Sequence, residues 1–129
     1  MTRILLVDDS RVTRELMKVY LIAKGVELLE AADGAEALEV ARGQRPDLVL
    51  ADLRMPKLDG AALCKALGAD LRTRGIPVLI LTSNTDESTA ARCRAAGARE
   101  VLRKPIQPQP LLEALGRHLP SFTPSPARS

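Results

Sequence analysis

The 129 residues, 46% of them hydrophobic, suit one globular domain that buries about two-thirds of its unfolded surface. One Tyr, one Phe and no Trp disfavour base-stacking nucleic-acid platforms, aromatic cages and ring-walled flavin pockets, and no apolar run is long enough to cross a bilayer. The net charge of +3 is too small to imply DNA binding by itself and lies wholly in residues 85–129, where solvated helix faces account for it and a nucleic-acid patch or an acidic protein partner are the rival readings.

Met1-Thr2-Arg3 leads without a signal peptide into the apolar run Ile4–Val7, which ends at Asp8-Asp9. From Ser10 to Lys24, Val12, Leu16, Val19, Tyr20 and Ala23 recur at helical spacing and predict the core face of a first helix, which Gly25 ends. A weak strand over Val26–Glu30 precedes Asp33-Gly34 and a helix reaching Arg42. Leu48–Ala51 is a third apolar run, closing on Asp52. Asp59 can cap a helix whose stripe is Leu63, Leu67 and Leu71. Ile76–Leu81 predicts a buried strand, interrupted only by Pro77 and ending at Thr82-Ser83. Thr85–Ala96 is an Ala-rich helix, Arg99–Arg103 a short strand, and Leu111, Leu112, Leu115 and Leu119 mark a last helix. Cys64 and Cys93, without C-x-x-C spacing, read as reduced, buried small hydrophobes of a cytoplasmic protein.

Five strands alternating with five helices, the central strands almost wholly apolar, predict a doubly wound α/β domain over residues 1–119: a five-stranded parallel sheet with helices on both faces. Residues 120–129 read as a Pro/Ser-rich tail or linker stub. In such a sheet the C-terminal strand ends share one edge, where ligands bind. Asp8, Asp9, Asp52, Thr82 and Lys104 all follow strands and are expected to converge there. Three close carboxylates need a cation among them, and a hard divalent ion such as Mg²⁺ suits oxygen ligands. A carboxylate, a metal, a Lys and a hydroxyl are the parts needed to move a phosphoryl group onto an aspartate. Each residue also has a plainer role: Asp9 or Ser10 as a helix cap, Asp52 as a turn residue, Thr82 as a strand end.

These motifs resemble the receiver domain of bacterial two-component response regulators. The resemblance covers residues 3–119 and is carried by Ile4–Ser10, Ala31–Leu38, Pro46–Asp52, the loop Asp52–Gly60, Ile76–Thr82 and Lys104-Pro105. It implies a flavodoxin-like (βα)5 fold with strand order 2-1-3-4-5. It also implies that Asp52 is the phosphoacceptor for a sensor histidine kinase, a phosphotransfer protein or a small donor such as acetyl phosphate. Asp8, Asp9, Asp52 and the backbone carbonyl of Arg54 would hold Mg²⁺, and Thr82 and Lys104 would grip phosphoryl oxygens. Ser83 supplies the small residue such sites need, and the Lys104–Pro105 bond is expected to be cis. Arg54 and Asn84 flank the site, Arg54 either shielding the acyl phosphate or standing as a solvated loop residue.

Val101 departs from the family pattern, which places Tyr or Phe three residues before the Lys. A valine cannot swing as a ring does, so signalling is expected to run through the loop after Thr82 and the fourth helix, whose docking through Ala90, Ala91, Cys93, Ala95 and Ala96 should be weak. The resemblance implies self-catalysed phosphorylation rather than turnover by an enzyme, a downstream protein target on the face of helix 4, strand 5 and helix 5, and a monomer or weak homodimer without direct nucleic-acid or membrane contact. The alternative is a pseudo-receiver, a phosphorylation-independent interaction module. A haloacid-dehalogenase-type hydrolase is disfavoured because Ser10 and Arg54 stand where a second Asp is required. His118, the only histidine, is expected at the C-terminus of the last helix, interacting with the helix end.

Overall fold

Residues 2–120 are described by a computed structural model. The apolar runs become β1 (Thr2–Val7), β2 (Val26–Ala31), β3 (Leu48–Asp52), β4 (Val78–Thr82) and β5 (Glu100–Arg103), in one sheet of order β2-β1-β3-β4-β5. Every neighbouring pair is parallel, so each connection must cross a face of the sheet, and a helix does so each time. The helices are α1 (Arg11–Leu21), α2 (Gly34–Gln44), α3 (Gly60–Ala69), α4 (Glu87–Ala95) and α5 (Pro108–His118). β3 and β4 are buried along their whole length because helices cover both sides.

Strand side chains alternate between two cores. Ile4, Leu6, Leu48, Leu50, Leu79 and Leu81 meet Met17 and Leu21 of α1 and Leu111, Ala114 and Leu115 of α5. Leu5, Val7, Val49, Ala51, Val78 and Ile80 meet α2, α3 and α4 through residues including Ala37, Ala41, Leu63, Leu67 and Cys93. Cys64 and Cys93 are buried free thiols in that second core, and burial pushes the Cys64 thiol up to about 11, in keeping with an inert role.

Several expected faces are different. On α1 the buried pair is Met17 and Leu21, whereas Val12 (78% exposed), Leu16 (42%) and Val19 (68%) lie outward, as does Ala23 just beyond the helix, with Tyr20 half-buried. Apolar residues lie on both sides of this helix, and it is Met17 and Leu21 that face the sheet. A short 3₁₀ turn, Ile22–Lys24, follows, and Gly25 ends it at φ 71°. Leu63 and Leu67 are buried as expected, but α3 stops at Ala69 and Leu71 is exposed beyond it. β4 begins at Val78 rather than Ile76, since Pro77 has no N–H to give and contributes only its carbonyl, accepting from the Val49 N–H at 3.0 Å. α4 is shorter than Thr85–Ala96 because Asp86 caps it, accepting from the Thr89 N–H; only Ala90 and Cys93 of α4 are buried, while Ala91 and Ala95 are exposed. Apart from Pro120, the expected tail lies outside the described residues.

Candidate functional site

β1 and β3 are neighbours at the centre of the sheet, so Asp8 and Asp52 leave it side by side. Carboxylate oxygens of Asp8, Asp9 and Asp52 all lie within 4.8 Å of one another. Lys104, carried in by the end of β5 and tied there by its N–H donating to the Thr82 carbonyl at 2.9 Å, places Nζ 3.1 Å from Asp8 Oδ2 and 3.3 Å from Asp52 Oδ2. Thr82, buried at the end of β4, accepts at Oγ1 from the Asn84 N–H, which leaves its own O–H free to donate. The five strand-end groups expected to converge are therefore assembled on one edge.

Capping separates the acids by role. Ser10, not Asp9, caps α1, accepting from the Thr13 N–H at 3.2 Å. Asp8 is fully buried and both its oxygens are engaged, Oδ1 by the Ser10 N–H at 2.8 Å and Oδ2 by Lys104. Asp9 is exposed at the rim. Asp52 is buried but reachable, and burial together with the Asp8 charge raises its carboxyl above the usual range against the pull of Lys104. Burial alone would lower the Lys104 ammonium; the hydrogen bond to Asp8 and the attraction of Asp52 outweigh it and raise it. One ammonium thus faces three carboxylates, a donor set of hard oxygens short of positive charge, which fits a divalent cation.

An open groove of about 560 Å³ lies beside these groups, lined among others by Asp9, Arg54, Thr82, Asn84, Thr89 and Arg92. Arg54, Ser83 and Asn84 are exposed, and the Asn84 side chain accepts from the Asp86 N–H, leading the chain into α4. The Lys104–Pro105 bond is cis. Val101 is half-buried against the core shared with α2, α3 and α4.

Sequence reasoning missed three contributors. Arg14 of α1 donates to the backbone carbonyl of Asp8 and pairs with Glu30 at 3.0 Å, so it ties down the turn that bears both acids. Gly60 packs so closely that a Cβ there would stand 2.6 Å from the Asp52 carbonyl. Arg92 reaches the groove from α4. Only Gly60 had a sequence signal, its place after the capping Asp59; the others depend on how helices dock. His118 is the last residue of α5, as expected, but the partner of its side chain is Glu100 at the start of β5: its Nε2 lies 2.6 Å from Glu100 Oε2, on the end of the strand away from Lys104.

The sequence matches the response regulator receiver domain family over residues 4–116. Protein PilG of Pseudomonas aeruginosa is 32% identical over 127 residues, spanning 98% of this chain and 94% of PilG. The Vibrio cholerae chemotaxis protein CheY4 superposes with a TM-score of 0.87 at 36% identity, over 92% of this chain and 99% of CheY4. The receiver domain of the Pseudomonas aeruginosa sensor histidine kinase PA1611, solved with a magnesium ion coordinated in its active-site cleft, gives 0.85 at 32% identity, over 93% and 98% of the two chains. With its sheet order, its acidic cluster and these likenesses in agreement, the chain belongs to the response regulator receiver domain family.

Proposed function

We propose that this receiver accepts a phosphoryl group on Asp52, and the observation that carries the reading is the Lys104 ammonium shared between Asp8 and Asp52 inside a cluster of three carboxylates. Asp8 has both oxygens occupied and Asp9 stands at the rim, so Asp52 is the nucleophile. Its carboxylate oxygen attacks phosphorus, the bond from phosphorus to the donor breaks, and the electron pair leaves with the donor, as acetate from acetyl phosphate or as neutral imidazole from a phosphohistidine whose other ring nitrogen has taken a proton from solvent. Lys104 shifts its ammonium onto a phosphoryl oxygen, and the Thr82 O–H donates to another. Asp8, Asp9, Asp52 and the Arg54 carbonyl would hold Mg²⁺, the ion coordinated in the cleft of the PA1611 receiver. Held there, it would neutralise carboxylate and phosphoryl charge. Ser83 leaves room beside Thr82, and Asn84 and Arg54 bound the approach.

A protein donor is favoured by α1. Its exposed Val12, Leu16 and Val19 form a stripe that begins two residues beyond the Ser10 cap, beside the acids, and a phosphohistidine-bearing helix laid on that stripe would bring its imidazole to Asp52. The donor is thus a sensor histidine kinase or phosphotransfer protein, and the downstream protein docks on the α4–β5–α5 face of a monomer or weak homodimer in the cytoplasm. The domain spans residues 1–119. No described helix is long and apolar enough to cross a membrane.

Incubation with acetyl phosphate and Mg²⁺ followed by intact mass measurement tests the reading. One added phosphoryl group is expected, absent from Asp52→Asn and after removal of divalent ions with EDTA. No uptake from acetyl phosphate or from a cognate kinase would overturn it in favour of an interaction module that does not use phosphorylation.

A further inference from the structure

α4 is held to the domain lightly, with Ala90 and Cys93 its only buried residues, and Val101 offers no ring to carry a signal from the site toward it. Yet α4 sends one cation to the site. Arg92 lines the groove beside Asp9 and Thr82 and also the adjoining groove of about 590 Å³ between α3 and α4, bounded by Met55, Lys65, Ala95 and Ala96. Its guanidinium lies 3.5 Å from Asp59 Oδ2, while Asp59 Oδ1 accepts from the Ala62 N–H and caps α3. Both side chains of that pair are well exposed and the separation is long, so the pairing is weak.

We propose that Arg92 is the group through which α4 responds to phosphorylation, exchanging Asp59 for the phosphoryl group on Asp52. The inference rests on Asp52 being the phosphoacceptor. Phosphorylation adds about one negative charge and three strong acceptor oxygens to the edge that Arg92 already faces. A guanidinium prefers such an anion, which it can bind through two parallel N–H donors, to one oxygen of a carboxylate already engaged in capping. Arg54 is also at hand, but it sits in the loop before α3 and moving it displaces no element. Arg92 moves with α4: when it leaves Asp59, the link between the α3 cap and α4 is lost and the groove between the two helices widens. An arginine on α4 thereby does the work that an aromatic at position 101 does in other receivers.

Wild type, Arg92→Gln and Arg92→Lys are each treated with acetyl phosphate and Mg²⁺, and the same samples are read for phosphoryl occupancy by mass and for amide exchange over residues 86–96. Exchange in the wild type should change by about fivefold or more on phosphorylation. At equal occupancy Arg92→Gln should lose that change and Arg92→Lys should recover part of it. Asp59→Asn, which removes the link without removing Arg92, should bring the exchange of the unphosphorylated protein toward the level of the phosphorylated wild type. The inference is overturned by a wild-type response in Arg92→Gln, by an unphosphorylated Asp59→Asn whose α4 exchanges as in the unphosphorylated wild type, or by a phosphorylated wild type whose α4 is silent. A wild type that takes up no phosphoryl group overturns the Asp52 reading and this inference with it. Should Arg92→Gln fail to fold, Arg92→Lys and Asp59→Asn decide by the same criteria.

Discussion

Gly60 and Asp52 share a wall. The first residue of α3 donates its N–H to the Leu53 carbonyl at 2.8 Å, and this brings its Cα against the backbone of Asp52. The atom that a Cβ would strike is a carbonyl oxygen of β3, which cannot step aside as a side chain could. Gly60→Ala is therefore expected to destabilise the domain by about 1–3 kcal/mol and to slow phosphoryl uptake as well, because the strain lands on Asp52. Urea unfolding and the acetyl phosphate assay measure the two effects. A variant that lost stability but kept the uptake rate would place the strain in α3 alone. At this scale most of the site was legible in the sequence. Asp8, Asp52, Thr82 and Lys104 are polar residues that end apolar runs, and a parallel sheet leaves such ends nowhere to go but one edge. Arg14 and Arg92 were not legible, since an arginine on a helix declares its partner only once the helix is docked.

Among the elements, α2 ends with backbone strain that a substitution can relieve. Arg45 closes the helix in the left-handed region at φ 44° and ψ 70°, its N–H donating to the Ala41 carbonyl at 2.9 Å, and its side chain is exposed. A Cβ is costly there and a glycine is not, so Arg45→Gly should raise stability by about 0.5–1 kcal/mol, seen as a higher thermal midpoint with unchanged phosphorylation. The elements also show where periodicity misleads. From Ser10 to Lys24 it selected Val12, Leu16, Val19, Tyr20 and Ala23, of which only Tyr20 packs against the core, while the sheet accepts Met17 and Leu21. Spacing registers that a face is apolar, but not whether it meets the domain's own core or the solvent. Leu71 failed for another reason: the Asp70 backbone has already left the helix, and the Thr73 hydroxyl donates to the Leu67 carbonyl in place of a further turn. The strands, whose apolar runs have little alternative to burial, were placed to within two residues or fewer.

Over the whole molecule, carboxylates at the junctions set the response to acid. The Lys18 ammonium holds Glu30 below the usual range, the Glu36 N–H does so for Asp33, the Arg72 side chain for Asp70, the Thr89 N–H for Asp86 and the Arg117 guanidinium for Glu100. Their folded values lie beneath those of the unfolded chain, so the stability they lend is whole above about pH 4 and drains away as pH falls through the folded values. Asp52 acts in the opposite sense: its raised carboxyl takes up a proton first, and that protonation favours the folded state. The thermal midpoint should therefore decline below about pH 4, and Asp70→Asn should flatten the decline while lowering stability at neutral pH, which melting curves across a pH series would show. An unaltered pH profile in Asp70→Asn would remove Asp70 from this account. The outward row on α1 has a consequence for which phosphate source prevails. A helical donor that settles on Val12, Leu16 and Val19 strips water from them, whereas acetyl phosphate leaves that water in place. If a donor docks on this row as proposed, solutes excluded from protein surfaces should strengthen the first route without helping the second, so that the hydration of one helix face would weigh a protein donor against a small one.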